Sequence, residues 1–320
     1  MGFFLGIDGG GTKIECVLAD EAGEIVARAS GAGANLRRVS ADALRDLLGS
    51  CFNALRGAAG LPALQPEAVC AGFAGISDAE ARARAEAALT ELLQPKHLYL
   101  VGDMEVALEA AVGAGAGVVL VAGTGSIAFG RNKEGRTARA GGQGARFGSD
   151  GQLTGDAGSG FDIGRGAVEA VLRAEEGRGP ETILRDAELA VLGAETPEEL
   201  AQCLVPERAA ELASLVPLVT RAARRGDPVA GEILENAGTA LAGLALTVLR
   251  DLNLAESDVG VFASGGVFSE SPEVLNRVRK VMSRAAPRVA GERLETSPAE
   301  GALRLGLRLW LEEKQAKRKP

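Results

Sequence analysis

Short apolar runs that end in turn residues mark the start of the chain. The run Phe3–Ile7 is followed by Asp8 and three glycines, and the runs Ile14–Asp20 and Glu24–Ser30 flank a turn at residues 21–23. Apolar runs of this length, bounded by turn residues, indicate β-strands. The chain is therefore predicted to open with an antiparallel meander of three strands.

Helical spacing of apolar residues then alternates with further short runs. It predicts helices over Ser40–Ala59, Asp78–Leu93 and Val106–Ala114, and short runs predict strands over Val69–Phe73 and His97–Gly102. The resulting order, β-β-β-α-β-α-β-α, is typical of an α/β domain.

The same pattern begins again in the middle of the chain, at Gly123-Thr124-Gly125-Ser126. A glycine turn follows each threonine at the same distance: from Thr12 to Gly23 is 23 − 12 = 11 residues, and from Thr124 to Gly135 is 135 − 124 = 11 residues. An internal repeat on this scale predicts two similar domains, each with a glycine–hydroxyl hairpin. Chance similarity between two common hairpins is the alternative.

The remaining pattern completes the second domain. It predicts a glycine-rich loop over Gly141–Gly160, helices over Phe161–Ala174, Pro197–Gly226, Asp227–Asn253, Pro272–Ala285 and Ala299–Lys314, and strands over Asp258–Ala263 and Arg293–Glu295. We expect one domain over residues 1–113, joined by the C-terminal helix of about residues 299–320, and a second over residues 114–298.

Composition limits the classes of function. A chain of 320 residues with 46% apolar residues is long enough for two packed cores. A net charge of −8 and an aromatic content of 3% argue against a nucleic-acid partner. The four cysteines are scattered and have no C-x-x-C spacing, which predicts free thiols in a cytoplasmic protein. No uninterrupted apolar stretch reaches about 18 residues, so no membrane span is expected.

The first glycine hairpin is suited to phosphate chemistry. Consecutive glycines allow backbone N–H groups to face an anionic oxygen, and Asp8 at the end of a strand could hold a hydrated Mg²⁺. A plain glycine turn with an acid beside it is the alternative. The sequence has no P-loop and no G-x-G-x-x-G fingerprint, so phosphate contacts would come from Asp8 and Thr12 of one hairpin and Thr124 of the other.

Three motifs in this order carry a resemblance to a known family. Asp8-Gly9-Gly10-Gly11-Thr12-Lys13, Gly123-Thr124-Gly125-Ser126 and Ser264-Gly265-Gly266-Val267-Phe268 resemble the actin, Hsp70 and sugar-kinase superfamily. Within it they are similar to the BadF/BadG/BcrA/BcrD ATPase family, whose best-known members are N-acetylglucosamine kinases. The resemblance implies an α/β fold of two ribonuclease H-like domains, the actin-like ATPase fold with a central cleft, together with ATP and Mg²⁺ as cofactors and a homodimer.

The resemblance also implies roles for single residues. Asp8 would serve Mg²⁺ through water, and Asp103 matches the catalytic aspartate that accepts a proton from the sugar hydroxyl, although an N-cap for the following helix is an alternative for it. The implied ATP contacts are Gly10, Gly11, Thr12, Lys13, Thr124, Gly265 and Gly266. The implied sugar contacts are Asn35, Asp103, Ser126, Gly142, Gln143, Gly144 and Asp156.

One loop departs from the family pattern. Relatives read Gly-Gly-Trp-Gly and, three residues later, Gly-Asp-Glu-Gly-Ser, whereas this chain has Gln143 in place of Trp and Ala157 in place of Glu. Ser149–Gly155 looks like a seven-residue insertion. Asp156 is the expected sugar contact because the residues after it, Gly158–Gly164, continue the family pattern, and Asp150 is the competing alignment. The departure leaves the identity of the sugar open.

The leading hypothesis is an ATP-dependent kinase that phosphorylates the 6-hydroxyl of N-acetylglucosamine or a related hexose. The alternatives are the redox activator ATPases of the same family, which serve a dehydratase or reductase, and a sugar sensor or polymer without catalysis. An activator needs cysteines near its second phosphate loop to hold an iron–sulfur cluster, and none lies between Cys70 and Cys203.

Overall fold

The computed structural model describes residues 2–11, 13–33, 35–37 and 39–317, except for the side chains of residues 187 and 188. The chain divides into two compact units. Unit 1 comprises Met1–Ala114 with Leu294–Pro320, and unit 2 comprises Gly115–Arg293.

Unit 1 is built on a five-stranded sheet. Its elements are β1 (Phe4–Gly9), β2 (Lys13–Ala19), β3 (Ile25–Ala32), α1 (Ala41–Ala58), β4 (Ala68–Phe73), α2 (Ala79–Leu93), β5 (His97–Gly102), α3 (Asp103–Val112) and α12 (Pro298–Ala316). The strand order is β3-β2-β1-β4-β5, in which β1, β2 and β3 are antiparallel and β4 and β5 run parallel to β1. The predicted order of strands and helices in this half is therefore confirmed.

Both faces of this sheet are covered by helices, which explains why β1 is apolar almost throughout. Leu5 and Ile7 pack with the buried residues of α1 and α2, whereas Phe4 packs with Ala299 and Leu303 of α12. Alternate residues of a strand point to opposite faces, so a strand covered on both sides needs no polar face.

Glycines let α12 pack closely against its neighbours in unit 1. A Cβ at Gly6 would lie 2.3 Å from the carbonyl oxygen of Ala299, and one at Gly301 would lie 2.1 Å from the carbonyl oxygen of Val106 in α3. Because real Cβ atoms do not approach backbone oxygens so closely, only glycine permits this packing. The packing fixes α3, the helix that begins at Asp103.

Unit 2 repeats the sheet and adds more helices. Its elements are β6 (Gly117–Ala122), β7 (Ser126–Arg131), β8 (Thr137–Gly141), β9 (Arg146–Phe147), β10 (Leu153–Thr154), α4 (Gly160–Glu175), α5 (Arg185–Leu192), α6 (Pro197–Gln202), a 3₁₀ turn (Pro206–Arg208), α7 (Ala209–Ala213), α8 (Val216–Arg224), α9 (Pro228–Asp251), β11 (Gly260–Ser264), α10 (Gly266–Glu270), α11 (Pro272–Ala285) and β12 (Ala290–Arg293). The strand order of its main sheet is β12-β11-β6-β7-β8.

The two sheets have the same topology. In unit 2, β6, β7 and β8 are antiparallel and β11 and β12 are parallel to β6, as β4 and β5 are to β1. The equal spacing in the sequence corresponds to equivalent turns, because the N–H of Gly23 donates to Asp20 and that of Gly135 donates to Asn132, both with positive φ. The predicted α/β fold of two ribonuclease H-like units is confirmed.

Two helix predictions need correction, and two short helices were not predicted. The single helical stretch predicted over Pro197–Gly226 is broken into α6, the 3₁₀ turn, α7 and α8, since Val205 is extended before Pro206 and proline disfavours a helical residue ahead of it. Helix α3 begins at Asp103 rather than Val106, and neither α5 nor α10 was predicted.

Three strand predictions also change. Strand β8 was not predicted, and the last strand covers Ala290–Arg293 rather than Arg293–Glu295 because it pairs in parallel with β11. The Gly141–Gly160 segment contains the β9–β10 hairpin, in which Leu153 is buried in the core.

Among the described residues, one helix is long and apolar enough to cross a membrane by these two criteria alone, namely α9. Its residues Leu234, Leu241, Val248 and Leu249 are buried in the core of unit 2. Its composition is therefore that of a core helix.

Candidate functional site

Asp8 and Asp103 lie at the carboxyl ends of strands in unit 1. Asp8 is level with Gly72 in β4, Gly72 is level with Val101 in β5, and Asp103 follows β5 directly. The carboxyl ends of parallel strands form the edge at which α/β sheets bind ligands. Burial, followed by the charges of Asp103 and Glu15, raises the pKa of Asp8 to about 7.

The start of α3 sets the orientation of Asp103. Glu105 accepts a hydrogen bond from the N–H of Gly102 at 3.0 Å. Gly102 is the N-cap residue, and Asp103 is the first residue of the helix. The Asp103 carboxylate accepts the N–H of Met104 at 3.0 Å. Burial raises the pKa of Asp103 despite that bond. A carboxylate that binds a proton more tightly than usual is suited to accept one during a reaction.

The acids of unit 1 fit a magnesium ion that is held mainly by water and phosphate. Mg²⁺ usually binds one or two carboxylates and keeps several waters. Asp8 and Asp103 are half-buried and their negative charges repel each other, so a bound cation would reduce this repulsion. The Nζ of the nearby Lys13 is paired with Oε2 of Glu15 at 2.8 Å. In the described part of the chain, no cluster of three or more His, Cys, Asp or Glu residues could form a protein-only metal cage.

The three glycines of the first hairpin have different surroundings. A Cβ at Gly9 would lie 2.0 Å from the ring of Phe73, so packing requires this glycine. The N–H of Gly10 donates to the carbonyl of Lys13 at 2.9 Å, and the space around Gly11 is open. Thr12 lies outside the described residues. The hairpin thus has a packed base and an open tip.

Asn35 is held at the same edge of the unit 1 sheet as Asp8. Its Oδ1 accepts the N–H of Arg37 at 3.0 Å, while the N–H of Leu36 donates to Ala74. The N–H of Ala74 in turn donates to the carbonyl of Gly9 in β1. The structure therefore brings Asn35 to the end of β1.

In unit 2, the N-terminus of α4 holds the second glycine hairpin. The N–H groups of Gly160 and Phe161 donate to the carbonyls of Gly123 and Thr124 at 2.8 and 3.2 Å. The loop is closed by a bond from the N–H of Gly123 to Gly125 at 2.9 Å. These bonds leave the Thr124 side chain on a loop with a fixed backbone.

Gly265 and Gly266 lie beside the same hairpin. Ser264 of β11 is level with Val121 of β6. Gly265 has φ +107°, and a Cβ on it would lie 2.4 Å from the carbonyl oxygen of Ala122. Gly266 begins α10 and has open space around it, so a flat ligand could lie against its backbone.

Asp156 joins two loops of unit 2. Its Oδ1 accepts the N–H groups of Gln143 and Gly144 at 3.1 and 3.0 Å, and a Cβ at Gly125 would lie 2.4 Å from its Oδ2. Its φ of +43° is unusual for a residue other than glycine and indicates a constrained position. Burial raises its pKa, and the two N–H groups oppose that shift.

Ser126 and Gly142 belong to the same arrangement. The buried Ser126 donates its hydroxyl to the carbonyl of Ala157 at 2.8 Å, and the N–H of Gly142 donates to the carbonyl of Ser126 at 2.8 Å. Because the hydroxyl of Ser126 already donates its proton to the carbonyl of Ala157, it can only accept a hydrogen bond from a ligand.

The competing acid, Asp150, lies at the other end of the hairpin. It is exposed in the β9–β10 turn, where its Oδ1 accepts the N–H of Gln152 at 3.0 Å. Asp156 instead follows the base of this hairpin and contacts the loop of Gln143 and Gly144. Of the two acids, only Asp156 is next to the other expected sugar residues of unit 2.

The sequence reasoning missed the support of this loop. Asp162 accepts the N–H of Gly158 at 2.8 Å and the guanidinium of Arg165 at 2.7 Å, and Arg165 also donates to Glu169 at 2.6 Å. Ser159 caps α4 by accepting the N–H of Asp162. The signal was present, because an acid three residues after a serine marks a helix start at which it can bind backbone N–H groups.

Comparison with known proteins gives a consistent result. The model of the BadF/BadG/BcrA/BcrD ATPase family matches residues 5–306. The chain is similar to an N-acetylmuramic acid/N-acetylglucosamine kinase of Clostridium acetobutylicum, with 29% identity over 95% of this chain and 97% of the relative. It is also similar to an N-acetyl-D-glucosamine kinase of Dictyostelium discoideum, with 28% identity over 95% and 97% of the two chains.

A solved structure extends the similarity to the fold. The protein from Chromobacterium violaceum, provisionally described as an N-acetylglucosamine kinase, superposes with a TM-score of 0.73 at 26% identity. The match covers 95% of this chain and 98% of that one.

Proposed function

The chain belongs to the BadF/BadG/BcrA/BcrD ATPase family, and we propose that it is an ATP-dependent sugar kinase that phosphorylates the 6-hydroxyl of N-acetylglucosamine or a related hexose. Two relatives that match along almost their whole length are named as kinases of N-acetylated amino sugars. The structural observation that carries the proposal is Asp103, a half-buried carboxylate with a raised pKa that directly follows β5.

Asp103 is the proposed general base. It would accept the proton of the sugar hydroxyl as that oxygen attacks the γ-phosphorus, while the bond from this phosphorus to the β,γ-bridging oxygen breaks. Its carboxylate is oriented by the N–H of Met104 and by the fixed start of α3. Positioning and charge stabilisation supply most of the remaining rate enhancement in phosphoryl transfer.

Backbone N–H groups and hydroxyls would bind the nucleotide. In unit 1 the proposed phosphate contacts are Gly10, Gly11 and Lys13, together with Thr12, which lies outside the described residues. In unit 2, Thr124 would contact phosphate, and Gly265 and Gly266 would lie against the adenosine. The open space at Gly11 and Gly266 supports this assignment.

Asp8 is the proposed magnesium residue. Mg²⁺, when bound, would neutralise charge on the ATP phosphates. Asp8 suits this role because burial and the neighbouring charge of Asp103 favour a cation beside it. The remaining positions around the ion would belong to water and phosphate oxygens.

The sugar would be bound by hydrogen-bonding groups from two sets. Asn35 and Asp103 are the proposed contacts in unit 1, and Ser126, Gly142, Gln143, Gly144 and Asp156 are those in unit 2. A sugar requires many neutral partners and one or two carboxylates, and these residues supply both.

Release of ADP, measured by a coupled assay across a panel of sugars, tests the proposal. We expect turnover with N-acetylglucosamine to exceed the rate without sugar by at least tenfold, and nuclear magnetic resonance of the product to place the phosphate on C6. A lack of stimulation by every hexose and amino sugar tested would refute the kinase. A phosphate on another carbon would refute only the position.

The cysteines do not favour a redox activator. Cys16, Cys51, Cys70 and Cys203 are all buried, whereas a cluster bridging two subunits needs thiolates at the surface. We further propose a cytoplasmic homodimer without a nucleic-acid or membrane partner. Light scattering on the purified protein tests the assembly state, and a monomer mass would refute the dimer.

A further inference from the structure

One arginine of helix α2 contacts the loop that carries Asn35. Arg84 is half-buried, and its Nη2 donates to the carbonyl oxygen of Leu36 at 2.6 Å. The side chain of Leu36 is buried in the core of unit 1, and its backbone N–H donates to the carbonyl of Ala74 at 3.2 Å. Both backbone groups of Leu36 are therefore held, the carbonyl by α2 and the N–H by the residue after β4.

The bond from Arg84 acts on Asn35 through a single peptide group. The carbonyl of Leu36 and the N–H of Arg37 belong to the same planar peptide unit. That N–H donates to Oδ1 of Asn35 at 3.0 Å. A donor on the carbonyl fixes the plane of the peptide, and it also polarises the peptide so that its N–H becomes a stronger donor. The orientation of the Asn35 amide therefore depends on Arg84.

The peptide decides which end of the Asn35 amide is available to a ligand. A backbone N–H can only donate, so the atom of Asn35 that faces it has to be the amide oxygen. In the described part of the chain, no oxygen of the protein accepts a hydrogen bond from Nδ2 of Asn35. Asn35 therefore offers a ligand its two N–H donors.

The guanidinium of Arg84 is used for this carbonyl rather than for an acid. Among the residues that the structure describes, no carboxylate forms an ion pair with Arg84. A hydrogen bond from a charged donor is stronger than one between neutral groups. The strongest bond to this loop is thus made to the peptide that orients Asn35.

A sugar hydroxyl has the lone pairs that such donors need. The other proposed sugar contact of unit 1, Asp103, is an acceptor, so the two residues bind a sugar with opposite polarity. We propose that Arg84 is a positioning residue of the sugar site, which holds the Leu36–Arg37 peptide so that Asn35 donates to a hydroxyl oxygen of the sugar. The inference rests on the proposed kinase function and adds to it a residue that does not touch the substrate.

Steady-state kinetics of the full chain with N-acetylglucosamine and ATP test the inference. Arg84→Met keeps an apolar side chain of good helix propensity but removes the donors. We expect the KM for the sugar to rise by about 3- to 10-fold, the range for the loss of one hydrogen bond. Both kcat and the KM for ATP should stay within about twofold, because the lost interaction is present before and during the reaction. Arg84→Lys should recover much of the loss, since it can still donate to the Leu36 carbonyl.

A double-mutant cycle separates positioning from a general effect on the fold. If Arg84 acts through Asn35, Arg84→Met should raise the sugar KM by less than about 1.5-fold when Asn35→Ala is already present. Asn35→Asp keeps an acceptor for the N–H of Arg37 but loses the donors, so it should raise KM at least as much as Asn35→Ala. Losses that multiply in the double variant, or a wild-type KM in Asn35→Asp, would overturn the inference.

Arg82→Met is the matched control, because Arg82 is exposed on the same helix. It should change neither the sugar KM nor the melting temperature. A lower melting temperature in Arg84→Met with an unchanged sugar KM would overturn the inference, since Arg84 would then only stabilise the fold. In that case the wild type would still turn over the sugar and the kinase would stand. A wild type that no sugar stimulates would refute the proposed function itself.

Discussion

A side chain on Gly125 would place its Cβ 2.4 Å from Oδ2 of Asp156. The tip of the second glycine hairpin therefore lies directly against the acid that holds the loop of Gln143 and Gly144. The two features were chosen from separate parts of the sequence, 31 residues apart since 156 − 125 = 31. The structure makes them one packed arrangement.

Replacing Gly125 with alanine tests this arrangement. Asp156 is short and held by two hydrogen bonds, so it cannot move away from a new methyl group without losing them. We expect overpacking to cost about 1–3 kcal/mol and the melting temperature to fall by several degrees, with a higher KM for the sugar. Gly123→Ala is the control for thermal unfolding, because nothing lies within 4 Å of a Cβ there. Equal melting temperatures for the two variants would contradict the contact.

The choice between Asp156 and Asp150 is tested by replacing each with asparagine. Asparagine at 156 keeps the oxygen that accepts the N–H groups of Gln143 and Gly144 but removes the charge. We expect the KM for the sugar to rise by roughly tenfold or more, since a hydrogen bond to a charged group contributes about 1.5–3 kcal/mol. Asp150→Asn keeps the turn bond to Gln152 and should change KM less than about twofold. The reverse order would favour the competing alignment.

The buried charge of Asp8 predicts a cost in stability that depends on pH. The folded-state pKa of about 7 exceeds the ordinary value of 3.8, so the folded state binds the proton more tightly and loses stability as the pH rises from about 4 to 7. Without Mg²⁺, Asp8→Asn should be more stable than the wild type above pH 7, by up to about 4 kcal/mol because each pKa unit corresponds to about 1.4 kcal/mol. At pH 4 the difference should vanish.

Urea unfolding of both proteins at pH 4 and pH 8 measures this difference. Asp46→Asn is the control, because Asp46 is exposed on α1 and its replacement should change stability by less than about 0.5 kcal/mol. An Asp8 variant that is no more stable than the wild type at pH 8 would show that the carboxylate is well solvated. Adding Mg²⁺ with ATP should stabilise the wild type more than the variant, since the ligand binds the native state through Asp8.

The strands of unit 1 could be predicted because their apolar runs are short and end at glycine, acid or turn residues, and β1 and β4 are buried almost throughout. The helical region after Pro197 could not, since its composition suits a continuous helix and only Pro206 and Pro217 hint at breaks. The start of α3 was placed three residues late because its N-cap is Gly102, which has no capping side chain, and the local bond from the N–H of Gly102 to Glu105 was not recognised as a helix start.

The candidate site residues could be identified from sequence motifs, but the residues that contact them in the structure could not. Asp156 was identified by a family pattern, whereas the placement of Arg146 next to it depends on the β9–β10 hairpin, whose strands are too short to give a periodic signal. The role of Asp162 likewise depends on where the chain turns at Gly158. Sequence patterns identify residue types and spacing, and these contacts come from backbone turns at glycines.

The assignment of Asp103 as the base predicts a large loss in the Asp103→Asn variant. Asparagine can still accept the N–H of Met104, but it cannot take a proton, so kcat should fall by about 10²–10⁴ while the Kd for ATP stays within about threefold. Because burial raises the pKa of Asp103 above 3.8, wild-type kcat should fall as the pH is lowered through that raised pKa. The residual activity of the variant should lack this decrease.

Glu105→Gln separates the chemistry of Asp103 from the helix start. Glutamine keeps an oxygen for the N–H of Gly102, so this variant should retain α3 and lose less than about threefold in kcat. If Glu105→Gln were as inactive as Asp103→Asn, the losses would reflect a displaced helix. If Asp103→Asn kept full activity with unchanged pH dependence, another group would have to accept the proton, because an amide at position 103 cannot.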